Sequence, residues 1–125
     1  MAIYESGEDY LQTILVLSEQ GKDVHAIDIA KSLGFSKPSV SVALKKLEDD
    51  GYLEILDDNS IVLTKAGNTV ASRILERHRT LVGIFESLGV EREQAEEDAH
   101  KVEHDLSDQT YELLKQRFDE FVSKR

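Results

Sequence analysis

Read for the spacing of apolar positions, the chain breaks into three helix-like stretches, one alternating stretch and three further helix-like stretches. Tyr10, Leu11, Ile14, Leu15 and Leu17 recur at helical spacing behind Ser6-Gly7-Glu8-Asp9 and before Gly21, which predicts a helix over 6–20. Ile27, Ile29, Ala30 and Leu33, closed by Gly34, predict a short helix over 26–33. Ser36 offers an N-cap and Pro38 suits a first helical turn, so a third helix is expected over 37–50, burying Val40, Leu44 and Leu47 and ended by Gly51. The period then shortens. Tyr52-Leu53-Glu54-Ile55-Leu56 and Ser60-Ile61-Val62-Leu63 flank Asp57-Asp58-Asn59, the pattern of a β-hairpin. Thr64 is placed to cap a long helix reaching Ser87, with Gly89 as its stop. Two more helices are expected over 91–105 and 108–123, the second capped by Ser107.

Three helices followed by a hairpin is the order of a winged helix. The expected fold is mainly α: an N-terminal winged helix-turn-helix with a small β-hairpin wing over 1–63, then an all-helical domain over 64–125. In a helix-turn-helix the second helix of the pair enters the major groove. Here that is the third helix, whose exposed face carries Ser36, Lys37, Pro38, Ser39, Ser41, Val42, Lys45 and Lys46. Hydroxyls, lysines and a helix N-terminus suit phosphate oxygens, and Val42 and Pro38 suit a thymine methyl. The wing tip is Asp57-Asp58, so a minor role at phosphate is expected of it.

Charge works against this reading. A net charge of -10 opposes DNA binding through bulk attraction, so the basic residues must act locally or bound cations must offset the carboxylates. The 125 residues allow one core or two small lobes. Apolar runs such as Ile14–Leu17 fall well short of the roughly 20 residues that span a bilayer, and the N-terminus lacks a signal pattern, so a cytoplasmic location is expected. Cysteine is absent, which excludes thiolate zinc and iron-sulfur sites and leaves His, Asp and Glu as metal donors.

Those donors converge in Glu96-Glu97-Asp98-Ala99-His100-Lys101-Val102-Glu103-His104. On one helix Glu96, His100, Glu103 and His104 share a face. Imidazole with carboxylate suits Mn2+, Fe2+, Co2+, Ni2+ or Zn2+, the first two being the usual occupants of oxygen-rich sites. His78 lies on the long helix, and a folded-back helical pair would bring it to the same place. Each residue also has an ordinary reading. His100 and His104 fit the exposed side of an acidic helix, Glu96 fits a solvated charge run, and Asp9 fits a capping box with Ser6.

Four stretches together resemble the diphtheria toxin repressor family of iron- and manganese-dependent regulators, in particular its short manganese-sensing members. They are Glu8-Asp9-Tyr10-Leu11 with Thr13-Ile14, Ser36-Lys37-Pro38-Ser39-Val40, Leu75-Glu76-Arg77-His78-Arg79, and Glu103-His104 with Leu106-Ser107-Asp108. The C-terminal SH3-like domain of the longer members has no counterpart here. The resemblance implies a homodimeric repressor, not an enzyme, that binds a palindromic DNA operator when Mn2+ or Fe2+ is bound, with Zn2+, Co2+ or Ni2+ as surrogates. It implies ligands at Asp9, His78, His100, Glu103 and His104. Three positions depart from the family pattern. His100 stands where iron sensors carry cysteine and manganese sensors glutamate, Gln12 where manganese sensors offer a carboxylate, and Val82 where iron sensors have one. One well-made metal site is expected, with Glu96 and His78 as the material for a weaker second one. Two other readings are open: a winged-helix regulator of a non-metal ligand, and a metalloenzyme or metal buffer, for which no nucleophile or phosphate loop stands out.

Overall fold

Tyr10, Leu11 and Ile14 form the buried stripe of α1 (Glu5–Glu19), and Ile29 is the fully buried centre of α2 (Ala26–Leu33). The computed structural model describes residues 5–124 and resolves two compact units, one ending at Arg73 and the other beginning at Ile74. In the first unit α3 (Lys37–Asp49) starts where the local chemistry dictates. Ser36 has an extended backbone, its Oγ accepts from Ser39 N at 3.3 Å, and Pro38 occupies the first turn. Val40, Leu44 and Leu47 point into the core with Leu11, Ile14 and Ile29, each buried side chain contributing about 1.5–3 kcal/mol.

Strands β1 (Leu53–Ile55) and β2 (Ile61–Leu63) pair antiparallel, Leu53 opposite Leu63 and Ile55 opposite Ile61. The turn is made by Asn59 at φ 67° and by Asp58, whose Oδ1 accepts from Ser60 N (3.0 Å) and Ser60 Oγ (2.6 Å). These bonds, the hydroxyl's first, hold the Asp58 carboxyl below its ordinary range. The acidic wing tip is therefore a turn-building device.

Glu48 ties α3 to this hairpin: its Oε2 accepts from Ile55 N at 2.8 Å, and that amide is the main reason its carboxyl titrates lower than usual. A carboxyl lowered by folding contributes stability above its ordinary range, and the contribution is lost as pH falls through the lowered value. Glu48→Ala is accordingly expected to speed amide exchange at Ile55 while leaving the amides of α1 and α2 unchanged. Unaltered exchange at Ile55 would show that the tie is idle.

Helix α4 (Lys65–Ser87) follows, capped by Thr64, whose Oγ1 accepts from Gly67 N at 3.2 Å. In the second unit its later turns pack with α5 (Arg92–Val102) and α6 (Asp108–Ser123) around Leu81, Val82, Ala95 and Ala99. Ala95 and Ala99, four residues apart and fully buried, put only methyl groups on that face of α5, which permits close approach. A methyl on Gly83 would lie 2.8 Å from the Phe118 ring, which marks the closeness of α4 to α6. No described helix is long and apolar enough to cross a membrane.

Two boundaries differ from expectation. Ser6 already lies inside α1, so it is not an N-cap and the Ser6–Asp9 capping box does not exist. Helix α5 stops at Val102 instead of 105. Glu103 N still reaches Ala99 O (2.9 Å), but Asp105 N turns back to Val102 O (3.0 Å), the carbonyl a continuing helix would have paired with residue 106, and Arg77 Nη1 donates to the Glu103 carbonyl (3.3 Å).

Candidate metal centre and DNA-reading face

Glu103 is the centre of the site. It sits in the turn after α5, its side chain has no solvent exposure, and both carboxylate oxygens face imidazoles. His78, one turn into the second-unit part of α4, places Nδ1 at 2.8 Å from Glu103 Oε2, a hydrogen bond in which the ring N–H donates. The other oxygen is different. Oε1 has no hydrogen-bond partner among the described residues, yet His100 Nδ1 lies 3.4 Å and His104 Nε2 3.6 Å away. His104 is nearly sealed, its side chain 2% exposed, whereas His100 is half-exposed and opens the site to solvent. The two rings stand edge to face, their centroids 5.8 Å apart.

A buried carboxylate oxygen without a hydrogen bond is costly, commonly by about 1–3 kcal/mol. The contacts around it are too long for strong hydrogen bonds. They match instead the separation of neighbouring ligands on one ion, about 3.0–3.5 Å when bonds are roughly 2.1 Å long. One donor atom from each of His100, Glu103 and His104 lies within 4.8 Å of the other two. The residues present thus fit a divalent transition metal held by nitrogen and oxygen.

Other expected donors are placed as follows. Asp9 is half-buried on α1 of the first unit. Glu96 is not drawn into the donor cluster: it is exposed on α5, and its Oε1 accepts from Arg92 Nε at 3.1 Å, a pairing one helical turn long. Gln12 and Val82 are both buried. Sequence reasoning passed over Arg77, which is buried behind His78; its only sequence signal was a place in the Leu75–Arg79 stretch.

On α3 all eight residues expected to read DNA, Ser36, Lys37, Pro38, Ser39, Ser41, Val42, Lys45 and Lys46, are exposed, and the first turn contains no acidic residue. Val42 is 72% exposed on this face. Lys45 is paired within its own helix. Its Nζ lies 3.4 Å from Glu48 and 3.5 Å from Asp49 of its own helix, and the Glu48 hydrogen bond leads the causes that raise its pKa.

Residues 2–60 match the family model for the iron dependent repressor N-terminal DNA binding domain, and residues 64–124 match the model for the iron dependent repressor metal binding and dimerisation domain. The chain belongs to the iron-dependent repressor family. Members are transcriptional regulators that bind DNA and dimerise, not enzymes. Among its relatives in this family is an HTH-type transcriptional regulator of Methanocaldococcus jannaschii, 35% identical over 122 residues and matched across 96% of this chain and 98% of that protein. The HTH-type transcriptional regulator MntR of Bacillus subtilis is 33% identical over 82% of this chain and 72% of its own length. Of the solved structures, the manganese regulator SloR superposes with a TM-score of 0.75 at 29% identity, over 100% of this chain and 56% of that one. IdeR of T. acidophilum superposes at 0.77 and 28%, over 95% of this chain and 55% of the other. This chain therefore spans just over half the length of those solved relatives.

Proposed function

We propose that this chain is a metal-switched repressor: a homodimer that binds a palindromic operator when Mn2+ or Fe2+ occupies a site on the second unit, and so controls metal-ion homeostasis in the cytoplasm. The observation that carries the reading is the buried Glu103 Oε1, without a hydrogen bond, between the nitrogens of His100 and His104. His104, His100, Glu103 and His78, all of the second unit, hold the ion. The ion supplies positive charge to the buried carboxylate and a fixed point for its ligands. Glu96, engaged with Arg92, is left out, so we assign one strong site.

Residues 1–63 read DNA, through the exposed face of α3, and residues 64–125 bind metal and dimerise. Leu113, Phe121 and Val122 on α6 are exposed apolar side chains of the second unit, the kind of surface a partner copy covers. Metal binding on the second unit is coupled to DNA binding by the first. Such coupling is typically worth about 1–3 kcal/mol, or 5–150-fold in affinity.

The test is fluorescence anisotropy of a labelled palindromic promoter fragment with Mn2+, with Fe2+ under anaerobic conditions, and with EDTA. Metal is expected to tighten binding at least fivefold, and His104→Ala to remove the difference. Equal binding with EDTA would leave a winged-helix regulator that does not sense metal.

A further inference from the structure

Arg77 makes contacts that nothing above uses for metal binding. It is 7% exposed and lies on α4 next to His78. Its Nη1 donates to the carbonyl oxygens of Leu106 (2.8 Å) and Glu103 (3.3 Å), and Nη2 pairs with Asp108 Oδ1 at the start of α6. The guanidinium also lies 4.8 Å from the centre of the buried Tyr111 ring, whose hydroxyl donates to Thr80 Oγ1 (3.2 Å) on α4. All these groups belong to the second unit.

We infer that Arg77 is a positioning residue of the metal centre, fixing the 103–107 turn so that Glu103 and His104 are already at their ligating positions in the metal-free chain. The geometry behind this is specific. Consecutive residues of one helix hold opposite ends of the same amino acid, Arg77 at the Glu103 carbonyl and His78 at its carboxylate. The turn follows the end of α5 at Val102, and Arg77 supplies its side-chain bonds to the Glu103 and Leu106 carbonyls. A guanidinium suits the task because its planar fork serves two carbonyls, a carboxylate and an aromatic face at once. A lysine ammonium is a single point that cannot. Arg77 touches no ligand side chain, so it acts through backbone placement, in the way that outer-shell partners are worth roughly 10–100-fold in metal affinity.

The inference rests on the metal reading above, and its test separates the two. Mn2+ affinity is measured by isothermal titration on the full chain and on Arg77→Lys and Asp108→Asn, with amide exchange of the metal-free proteins followed alongside. Arg77→Lys is expected to lose at least about 10-fold in affinity. Its amides from Glu103 to Ser107 are expected to exchange faster, with those of α1–α3 unchanged. Asp108→Asn, which removes the charge of one partner and leaves the carbonyl bonds, is expected to lose about threefold, roughly 0.7 kcal/mol. If the unaltered chain binds no Mn2+, the metal reading fails, and the exchange data alone decide whether Arg77 anchors the turn. If the unaltered chain binds and Arg77→Lys binds within twofold of it, the inference is overturned. Should Arg77→Lys fail to fold, Asp108→Asn decides: undiminished affinity with unchanged exchange in the turn would overturn it.

Discussion

Glu103→Gln is expected to lose more than about 100-fold in affinity for Mn2+, beyond what loss of an outer-shell partner costs. The amide keeps the shape of the side chain and an acceptor for His78 Nδ1, but it removes the charge that makes Oε1 a strong ligand between His100 and His104. Its fold is expected to survive, because a buried neutral amide is less costly than a buried carboxylate lacking a counter-charge. Thermal melts with and without Mn2+ distinguish the outcomes. The unaltered chain at 100 times its dissociation constant gains about 2.7 kcal/mol from the ion. The variant is expected to melt at the same temperature with or without it. If Mn2+ stabilises both proteins equally, the ion binds elsewhere.

Gly67→Ala is expected to destabilise the first unit by about 2 kcal/mol, lowering its melting temperature by roughly 10 °C. A methyl at this position would lie 1.9 Å from Tyr52 O, a backbone atom that cannot rotate away and that already accepts from Thr64 N at 3.1 Å. Overpacking of this kind costs about 3 kcal/mol, and the better helix propensity of alanine returns at most about 1. Seating α4 against the hairpin therefore requires glycine there. A melt within about 2 °C of the parent would show that the start of α4 adjusts freely, contrary to the bond network of Thr64, Tyr52 and Gly51.

What could be read from the sequence divides by distance along the chain. The limits of α2 and α3 were legible because their determinants are local: Gly34 at φ 73° behind Leu33, Ser36 and Pro38 at the start of α3, Gly51 beyond its end. Spacing on α5 brought His100 near Glu103 and His104 in the same way. His78 was a candidate only through a folded-back helical pair, to which the resemblance added a family position, because its hydrogen bond to Glu103 joins positions 25 residues apart that no periodicity connects. Partners that spacing did not single out were not legible: Glu96 accepts from Arg92 one turn back on α5, and the Glu103 carbonyl accepts from Arg77, 26 residues earlier. Ser6 was misjudged as a cap because α1 begins before it, which also removed the ordinary explanation of Asp9.

The double grip on Glu103 bears on timing. A site whose carboxylate must first swing into place binds its ion no faster than the chain rearranges, and association slows accordingly. Here His78 and Arg77 hold the carboxylate and its backbone, and the half-exposed His100 is the side of the cluster that meets solvent. Ion entry then waits on shedding water and on the movement of one surface imidazole, a side-chain motion of picoseconds to nanoseconds. Loading of the ion is then expected to need no prior rearrangement of the 103–107 turn.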